Sequence, residues 1–143
     1  MEYAEKVAWL RRYRESLRRE QLLTEEIGQL ESQARRVTRA ISGMPGGGDG
    51  QAIPRAVERI MDAQQRLAAE AARCAAARAE VKAAIDTVAD PLRRDILTRR
   101  YILGQRWERI AADHNVTLRW AAKQHHRTVE AMEISPENPE RVP

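Results

Sequence analysis

Three long cationic side chains near the C-terminal end of the chain are spaced so that one side of a helix can present them together. Arg119, Lys123 and Arg127 follow one another at intervals of four residues, which is close to one helical turn. Guanidinium and ammonium groups in such a row donate hydrogen bonds to guanine edges in the major groove and to phosphate oxygens. The spacing therefore indicates a surface that contacts nucleic acid, if a helix holds this row outward.

The row belongs to a larger set of candidate DNA-binding residues. Thr117 is a suitable N-cap for the helix that carries the row, and we predict that this helix covers residues 117–132. Three upstream arginines are predicted to lie where the phosphates of a duplex pass. The full set is Thr117, Arg119, Trp120, Lys123, His126 and Arg127 on the helix, with Arg99, Arg100 and Arg106 upstream.

The positive charge of the chain is concentrated around these residues. Residues 91–132 contain nine Arg and Lys against four Asp and Glu, a net charge of +5, whereas the rest of the chain sums to −1. A row of charges is more often the solvated face of a surface helix than a binding site. Local basicity of this degree, together with the turn pattern of residues 110–121, favours a surface that meets a polyanion.

The residues before the row meet, in order, the requirements of a helix-turn-helix. The first helix needs an apolar residue and a small residue where the second helix crosses it, and Ile110 and Ala111 supply them. The turn needs a residue that tolerates positive φ, and Asn115 is the non-glycine type best suited to it. Val116 then supplies an apolar side chain that fills the space beneath the turn, and Ala121 permits close packing of the second helix.

A third helix is predicted to support this pair from its N-terminal side. Asp90 is a good N-cap and Pro91 is a good first helical residue, so the helix is expected to begin there. Gly104 marks its end. The apolar residues of this supporting helix are Ile96, Leu97, Tyr101, Ile102 and Leu103.

Two longer helices are predicted before this small domain. Residues 2–42 form the first, with an irregularity expected between Leu17 and Leu23, where the apolar spacing slips. The second begins near Pro54, after the glycine-rich GMPGGGDG at 43–50. The first seam is predicted at Leu23, Ile27, Leu30, Ala34, Val37 and Ile41. The second is predicted at Ile53, Val57, Ile60, Gln64, Leu67, Ala71, Cys74, Arg78, Val81, Ile85 and Val88.

The predicted fold class is all-α, with a long antiparallel helical hairpin (coiled coil) followed by a small C-terminal helix-turn-helix domain. A short connection turns the chain back on itself, which makes the two long helices antiparallel. Their seams are narrow and rich in alanine, so we expect a homo-oligomer, with a dimer favoured. The predicted domains are 1–89 with a connector at 43–52, 90–134 for the helix-turn-helix, and 135–143 for a flexible tail.

Other chemistries find little support in the residue pattern. His125 and His126 are adjacent and would point about 100° apart on a helix, and with His114 they lack a completing ligand, so no metal site is expected. Cys74 falls in the predicted seam and is expected to be a core residue. No nucleophile–base pair or carboxylate dyad is recognisable. We therefore expect neither enzymatic activity nor a cofactor.

The compartment follows from what the sequence lacks. A single cysteine cannot form an internal disulfide, and this favours a reducing environment. The chain has neither the apolar run of a signal peptide nor 18 consecutive apolar residues. A soluble intracellular protein with no membrane partner is expected.

Two runs of the sequence resemble known families. LRRDILTRRYILGQRWERIAADHNVTLRWAAKQHHRTVEAM resembles the region-four helix-turn-helix of sigma factors, and LESQARRVTRAISGMPGGGDG is similar to small phage proteins of the ArpU and RinA type. The resemblance implies control of phage or prophage late genes in the cytoplasm of a bacterial host cell, through double-stranded promoter DNA and contact with RNA polymerase. His114, Asn115 and Gln124 replace the family's leucine, glycine and aliphatic residue, which predicts looser packing of the second helix.

Two other functions fit the same outline. A phage DNA-packaging recognition subunit, like a small terminase, also joins a helix-turn-helix to a coiled coil, and it would assemble as a ring of many copies. A coiled-coil adaptor would use its sigma-like domain to bind polymerase or another protein and not DNA. Sequence-specific regulation of transcription is the function that we predict first.

Overall fold

The computed structural model describes residues 1–42 and 50–135, and every regular element in these two ranges is an α-helix. The predicted all-α class is confirmed. Most of the predicted connector (43–49) and most of the predicted tail (136–143) lie outside the described residues. The helices are α1 (Tyr3–Leu10), α2 (Arg12–Ser42), α3 (Ala52–Asp86), α4 (Pro91–Tyr101), α5 (Trp107–Asp113) and α6 (Leu118–Ala131).

The described residues form two compact units, and their limits differ from the predicted domain boundary after residue 89. Unit 2 is Ser16–Arg73, whereas unit 1 combines Met1–Glu15 with the described residues from Cys74 onward. The sequence prediction assigned the first 15 residues to the hairpin because they share its apolar spacing. Their apolar side chains are instead buried together with those of α4 and α6. The helix-turn-helix therefore belongs to a larger unit than predicted.

An apolar cluster holds unit 1 together. Leu10 of α1, Val81 and Ile85 of α3, Leu97 of α4 and Val129 of α6 are completely buried. Full burial of a side chain of this size stabilises a fold by about 1.5–3 kcal/mol. The cluster is completed by Tyr101, Ile102, Met132 and Ile134, and Tyr3, Val7, Trp9, Tyr13, Ala84 and Val88 pack against it. Residues 90–134 alone would lack about half of this core, which explains the different boundary.

In unit 2, α2 and α3 run antiparallel. The hydroxyl of Ser16, near the start of α2, bonds to Glu70, whereas Glu26 farther along α2 lies 3.8 Å from the earlier residue Arg66. The side chain of Ile41 lies outside the described residues. The other predicted seam positions of α2 are confirmed, with Ile27 buried and Leu23, Leu30, Ala34 and Val37 half-buried.

The seam predicted on α3 is wrong at four of its eleven positions, whereas the other seven, which include Ala71, Ile85 and Val88, are buried or half-buried. The exposed positions are Ile53, Val57, Gln64 and Arg78. In place of the last three, the residue immediately before each faces inward, namely Ala56, Ala63 and Ala77, and Glu70 is buried in the same register. Both registers repeat every seven residues, so spacing alone does not separate them. Three of the four inward residues are alanines, whose small side chains allow a neighbouring helix to approach closely. The shared positions Ile60, Leu67, Cys74 and Val81 are buried or half-buried as predicted.

Glu70 is a buried carboxylate that the hydrophobic pattern did not predict. Its side chain is 5% exposed, and it accepts hydrogen bonds from the Ser16 hydroxyl at 2.6 Å, Arg19 Nε at 2.9 Å and Arg73 Nη2 at 2.7 Å. The Ser16 hydrogen bond, followed by those of Arg73 and Arg19, lowers the pKa of Glu70 to about 2 against the opposing effect of burial. Because a buried charge without partners is costly, these bonds favour a single register of α2 against α3.

The helix irregularity lies at Arg11 and not between Leu17 and Leu23 as predicted. α2 is unbroken from Arg12 to Ser42, whereas Arg11 separates it from α1. The Nε of Arg12 donates to the carbonyl oxygen of Trp9 at 3.1 Å. The backbone hydrogen bonds nevertheless continue across this point, from the N–H of Arg11 to the carbonyl of Val7 at 3.0 Å and from the N–H of Glu15 to the carbonyl of Arg11 at 3.1 Å, so the irregularity is confined to one residue.

Two glycines should respond oppositely to substitution by alanine. Gly104 has φ +69 and an added Cβ would contact the Arg14 guanidinium, whereas Gly28 lies within α2 with nothing within 4 Å of such a Cβ. Gly104→Ala should lower the free energy of unfolding by about 1–2 kcal/mol. Gly28→Ala should raise it by about 0.5–1 kcal/mol. Urea unfolding followed by circular dichroism measures both, and a stabilised Gly104→Ala variant would contradict the described turn.

Candidate nucleic-acid interface

The turn between α5 and α6 has the predicted geometry. Asn115 has φ +53, the only positive value among the non-glycine residues described. The N–H of Val116 donates to the carbonyl of Ala111 at 3.0 Å, which closes the turn. The hydroxyl of Thr117 accepts from the N–H of Trp120 at 3.0 Å and caps α6. The chain therefore stops one helix and starts another within four residues.

α6 has one face packed into unit 1 and one face in solvent. Ala121, His125, Thr128 and Val129 are buried. The predicted partners in α5, Ile110 and Ala111, are buried as well. Because helical neighbours on one face recur every three or four residues, a row offset from the buried set must point away from it. That exposed row is Arg119, Lys123 and Arg127.

The supporting helix α4 is largely as predicted. The side chain of Asp90 accepts hydrogen bonds from the backbone of Leu92 and Arg93, and Pro91 is the first helical residue. Ile96, Leu97, Tyr101 and Ile102 are buried. The prediction for Leu103 is wrong, because this side chain is 57% exposed. It follows the helical C-cap at Ile102, where the chain turns away before Gly104.

The basic side chains of unit 1 separate into paired and unpaired groups. Arg106, Arg119, Lys123 and Arg127 are exposed, and they form no side-chain hydrogen bond or ion pair with any residue of the described ranges. The exposed ring of His126 lies 3.6 Å from the carboxylate of Glu130 and is only weakly engaged. Trp120 is half-buried. The unpaired cations keep all their hydrogen-bond donors available for a ligand in solution.

Two of the predicted phosphate-binding arginines are instead engaged within the protein. Arg99 donates to Asp95 at 2.8 Å and to Asp113 at 3.0 Å, so that it ties α4 to the end of α5. Arg100 donates to the carbonyl of Gln105 at 3.1 Å, and its guanidinium lies 5.2 Å from the centre of the Trp107 ring. The structure thus gives Arg99 a positioning role, and Arg100 retains only part of its donor capacity.

His125 is a buried residue that sequence reasoning considered only as a possible metal ligand. Its Nε2 lies 2.6 Å from the hydroxyl of Tyr101 on α4, its Nδ1 lies 3.3 Å from the hydroxyl of Tyr3 on α1, and its ring meets Trp107 edge-on. A neutral imidazole both donates and accepts, so it suits two hydroxyl partners. Its spacing of four residues from Ala121 and from Val129 was the available signal that it faces inward.

Burial sets the charge state of this cluster. Desolvation lowers the pKa of His125 to about 4, helped by the positive charges of Arg100, His126 and Arg11. Desolvation also raises the pKa of Tyr101 to about 12. Both groups are neutral at pH 7, and their hydrogen bond joins α4 to α6 without a buried charge. No group of three or more His, Cys, Asp or Glu in the described ranges is arranged to hold a metal ion.

The three positions expected to loosen the packing of α6 each have an accommodating feature. Nε2 of His114 lies 2.8 Å from the Asp95 carboxylate, although the two groups are not aligned as a hydrogen bond. Asn115 takes the positive φ of the turn. The Gln124 side chain accepts from Arg93 Nε at 3.2 Å, which links α6 to α4. The polar contacts of His114 and Gln124 therefore lie at the edge of the core, where the family that the sequence resembles has aliphatic residues.

Acid should destabilise the protein through His125. A base whose pKa is lowered on folding gives its full stabilisation above the unfolded pKa of about 6.5, and loses it as pH falls toward the folded value of about 4. The expected loss between these limits is up to about 3 kcal/mol. Urea unfolding at intervals from pH 7 to pH 4.5 measures it, because Glu70 contributes mainly below that range.

His125→Gln should be less stable than the wild type at pH 7 and should show a flatter stability profile between pH 6.5 and 4.5. His126→Gln is the matched control, because this neighbouring ring is exposed and its substitution should leave the slope of the wild type. Equal slopes for the wild type and His125→Gln would contradict the buried neutral imidazole.

Comparisons with known proteins add no relative. No protein-family model matches the chain, and neither the curated proteins nor the solved structures contain a match. Within the described residues, none of the helices combines the length and apolar character needed to cross a membrane.

Proposed function

We propose that this protein is a sequence-specific double-stranded-DNA-binding regulator of phage or prophage late genes, and that α6 enters the major groove. The observation that carries the proposal is the row Arg119, Lys123 and Arg127, which is exposed and unpaired on a helix that begins after a positive-φ turn. The buried face of α6 fixes this row in orientation. A recognition helix needs both properties, because its cations must reach base edges from a rigid support.

The proposal assigns different roles to different cations. Arg119 and Lys123 lie in the first half of α6, the part of a recognition helix that meets base edges, and they read the sequence. Arg127 near the end of α6 and Arg106 before α5 bind phosphates, and Arg106 is the upstream arginine of the predicted set whose side chain is unpaired within the two described ranges. The resemblance to sigma factors supports contact with bacterial RNA polymerase as the route to transcription, and the protein acts without catalysis.

The proposal predicts a difference between base-reading and phosphate-binding variants. A preferred duplex is first enriched from random sequences with the wild-type protein, and affinities are then measured for it and for an unselected duplex. Arg119→Ala and Lys123→Ala should each weaken binding to the enriched duplex by about 1–3 kcal/mol and binding to the unselected duplex by less. Arg106→Ala should weaken both equally and reduce the salt slope by about one.

The control for these measurements is Arg18→Ala, which removes an exposed arginine of α2 in unit 2 and should leave both affinities unchanged. The proposal fails if no sequence is enriched. Equal losses on both duplexes from Arg119→Ala and Lys123→Ala would leave DNA binding in place but remove the assignment of base reading.

Unit 2 is proposed to join two copies of the chain. Ile53, Val57 and Met61 lie four residues apart on α3 and are 42%, 47% and 54% exposed. Side chains at this spacing form an apolar stripe along one side of a helix. A second copy that covers this stripe would supply the burial that the narrow seam of the hairpin lacks, and it would place two recognition helices on one duplex.

The apolar stripe predicts that the protein is a dimer and that negative charges introduced on the stripe separate the two copies. Light scattering should give twice the chain mass for the wild type and the single chain mass for Val57→Glu combined with Met61→Glu. Leu22→Glu is the matched control, because Leu22 is a similarly exposed apolar residue outside the stripe. A mass of many copies would instead support the DNA-packaging alternative, and a monomeric wild type would contradict the proposed dimer.

A further inference from the structure

Unit 1 contains a cleft of about 530 Å³ at the meeting point of four helices. α1 contributes Tyr3, and Arg11 follows at its C-cap. α4 contributes Arg100, α5 contributes Trp107, and α6 contributes His126 at the open side and His125 at the base. The row of cations proposed to bind DNA lies on the same helix as His126. The cleft and the row are therefore neighbouring features of unit 1.

The cleft carries positive charge and no carboxylate among its lining residues. The side chain of Arg11 is exposed and forms no hydrogen bond or ion pair within the described ranges. Arg100 uses one of its terminal nitrogens for the carbonyl of Gln105, so its guanidinium still has free donors. Burial raises the pKa of Tyr101 and lowers that of His125 at the base of the cleft, and the positive charges of both arginines oppose the first shift and add to the second. The two positive charges thus act on the same small region.

Aromatic side chains give the cleft fixed walls. The ring centres of Tyr3 and His126 are 4.2 Å apart, and the Trp107 ring packs edge-on against His125 at 4.9 Å between centres. The hydroxyl groups of Tyr3 and Tyr101 lie against the two ring nitrogens of His125. The carboxylate of Glu130 lies against His126 at the rim, and the backbone carbonyl of Glu130 accepts a hydrogen bond from Lys6 Nζ. The cleft therefore keeps the positive charge of its two arginines between packed aromatic side chains.

We propose that this cleft binds a phosphate group between the guanidiniums of Arg11 and Arg100. Guanidinium donors match the oxygens of a phosphate, and two of them in one cleft give a charge-assisted site. The phosphate belongs either to the backbone of a DNA duplex or to a free nucleotide whose base packs on the aromatic wall. In the duplex form, which rests on the proposed function, α1 adds a backbone contact beside the recognition helix.

The test uses the full-length protein and three probes, namely an unselected duplex, dAMP and inorganic phosphate. Binding is followed by the NMR signals of the Trp107 indole N–H and of the arginine Nε–H groups, and by calorimetric titration. Arg11→Gln should weaken binding of the responding probe by about tenfold, and Arg100→Gln should do so to a similar degree. Arg18→Gln is the control of equal charge change, and it should have no effect. Arg11 has no partner to lose, so its variant should fold normally.

The probes separate the two sources of the phosphate. Arg11-dependent binding of the duplex alone identifies a backbone phosphate, and Arg11-dependent binding of dAMP identifies a free nucleotide; either result supports the site. The inference is overturned if none of the probes shifts the Trp107 and Arg11 signals, or if Arg11→Gln binds every probe as tightly as the wild type.

The outcomes also separate this inference from the proposed function. A protein that binds dAMP in an Arg11-dependent manner but no duplex would retain the cleft and lose the proposed function. A protein whose duplex affinity depends on Arg119 and Lys123 but not on Arg11, and which binds neither small probe, would retain the proposed function and lose the phosphate site in the cleft.

Discussion

The hydrogen-bonded contact of His125 with Tyr3 and Tyr101 is the interaction on which unit 1 depends most. It joins α6 to α1 on one side and to α4 on the other, within the layer of completely buried apolar residues around Leu97 and Val129. The imidazole is neutral because burial holds its pKa near 4. Two polar partners at fixed positions specify one rotation of α6 about its axis, which apolar contacts alone define less sharply. The orientation of the solvent-facing row follows from this rotation.

The acids of unit 1 determine which of its many arginines remain available. Asp95 and Asp113 engage Arg99, and Arg109 lies 3.8 Å from Asp113. The cations of the exposed α6 row have no such partner within the described residues. Both groups consist of basic side chains of unit 1, so a count of positive charges does not separate them. The proposed binding surface consists of the cations that the fold leaves unpaired.

Local signals predicted the helix-turn-helix almost completely. The cap at Asp90, the positive φ of Asn115 and the cap at Thr117 are each decided by a few neighbouring atoms, so residue type is sufficient to predict them. The errors concern choices between distant partners. Ala63 and Gln64 are adjacent residues that belong to two alternative heptad registers, and only the approach of α2 decides which of them is buried. The place of α1 in unit 1 depends in the same way on surfaces supplied more than 70 residues later.

The site was predicted less fully than the fold. Arg119, Lys123 and Arg127 were identifiable because helical spacing alone gathers them. Arg99 pairs with Asp95 on its own helix and with Asp113 on α5, and the second pairing could not be read from local sequence. Arg11 was not singled out because nothing in its own sequence neighbourhood relates it to α6. The two arginines show that the availability of a charged side chain is a tertiary property, determined by which carboxylates the fold brings near.

The composition of unit 1 from both parts of the chain also determines when it can form during synthesis. Tyr3 and His125 are 122 residues apart, so α1 leaves the ribosome long before the surface that buries it exists. Until α6 has emerged, the apolar side of α1 is exposed to solvent and to chaperones, while the contacts of unit 2 between α2 and α3 are already available. Contacts of such long sequence separation form slowly. The order of synthesis therefore allows the hairpin to form first and delays unit 1 until α6 has been made.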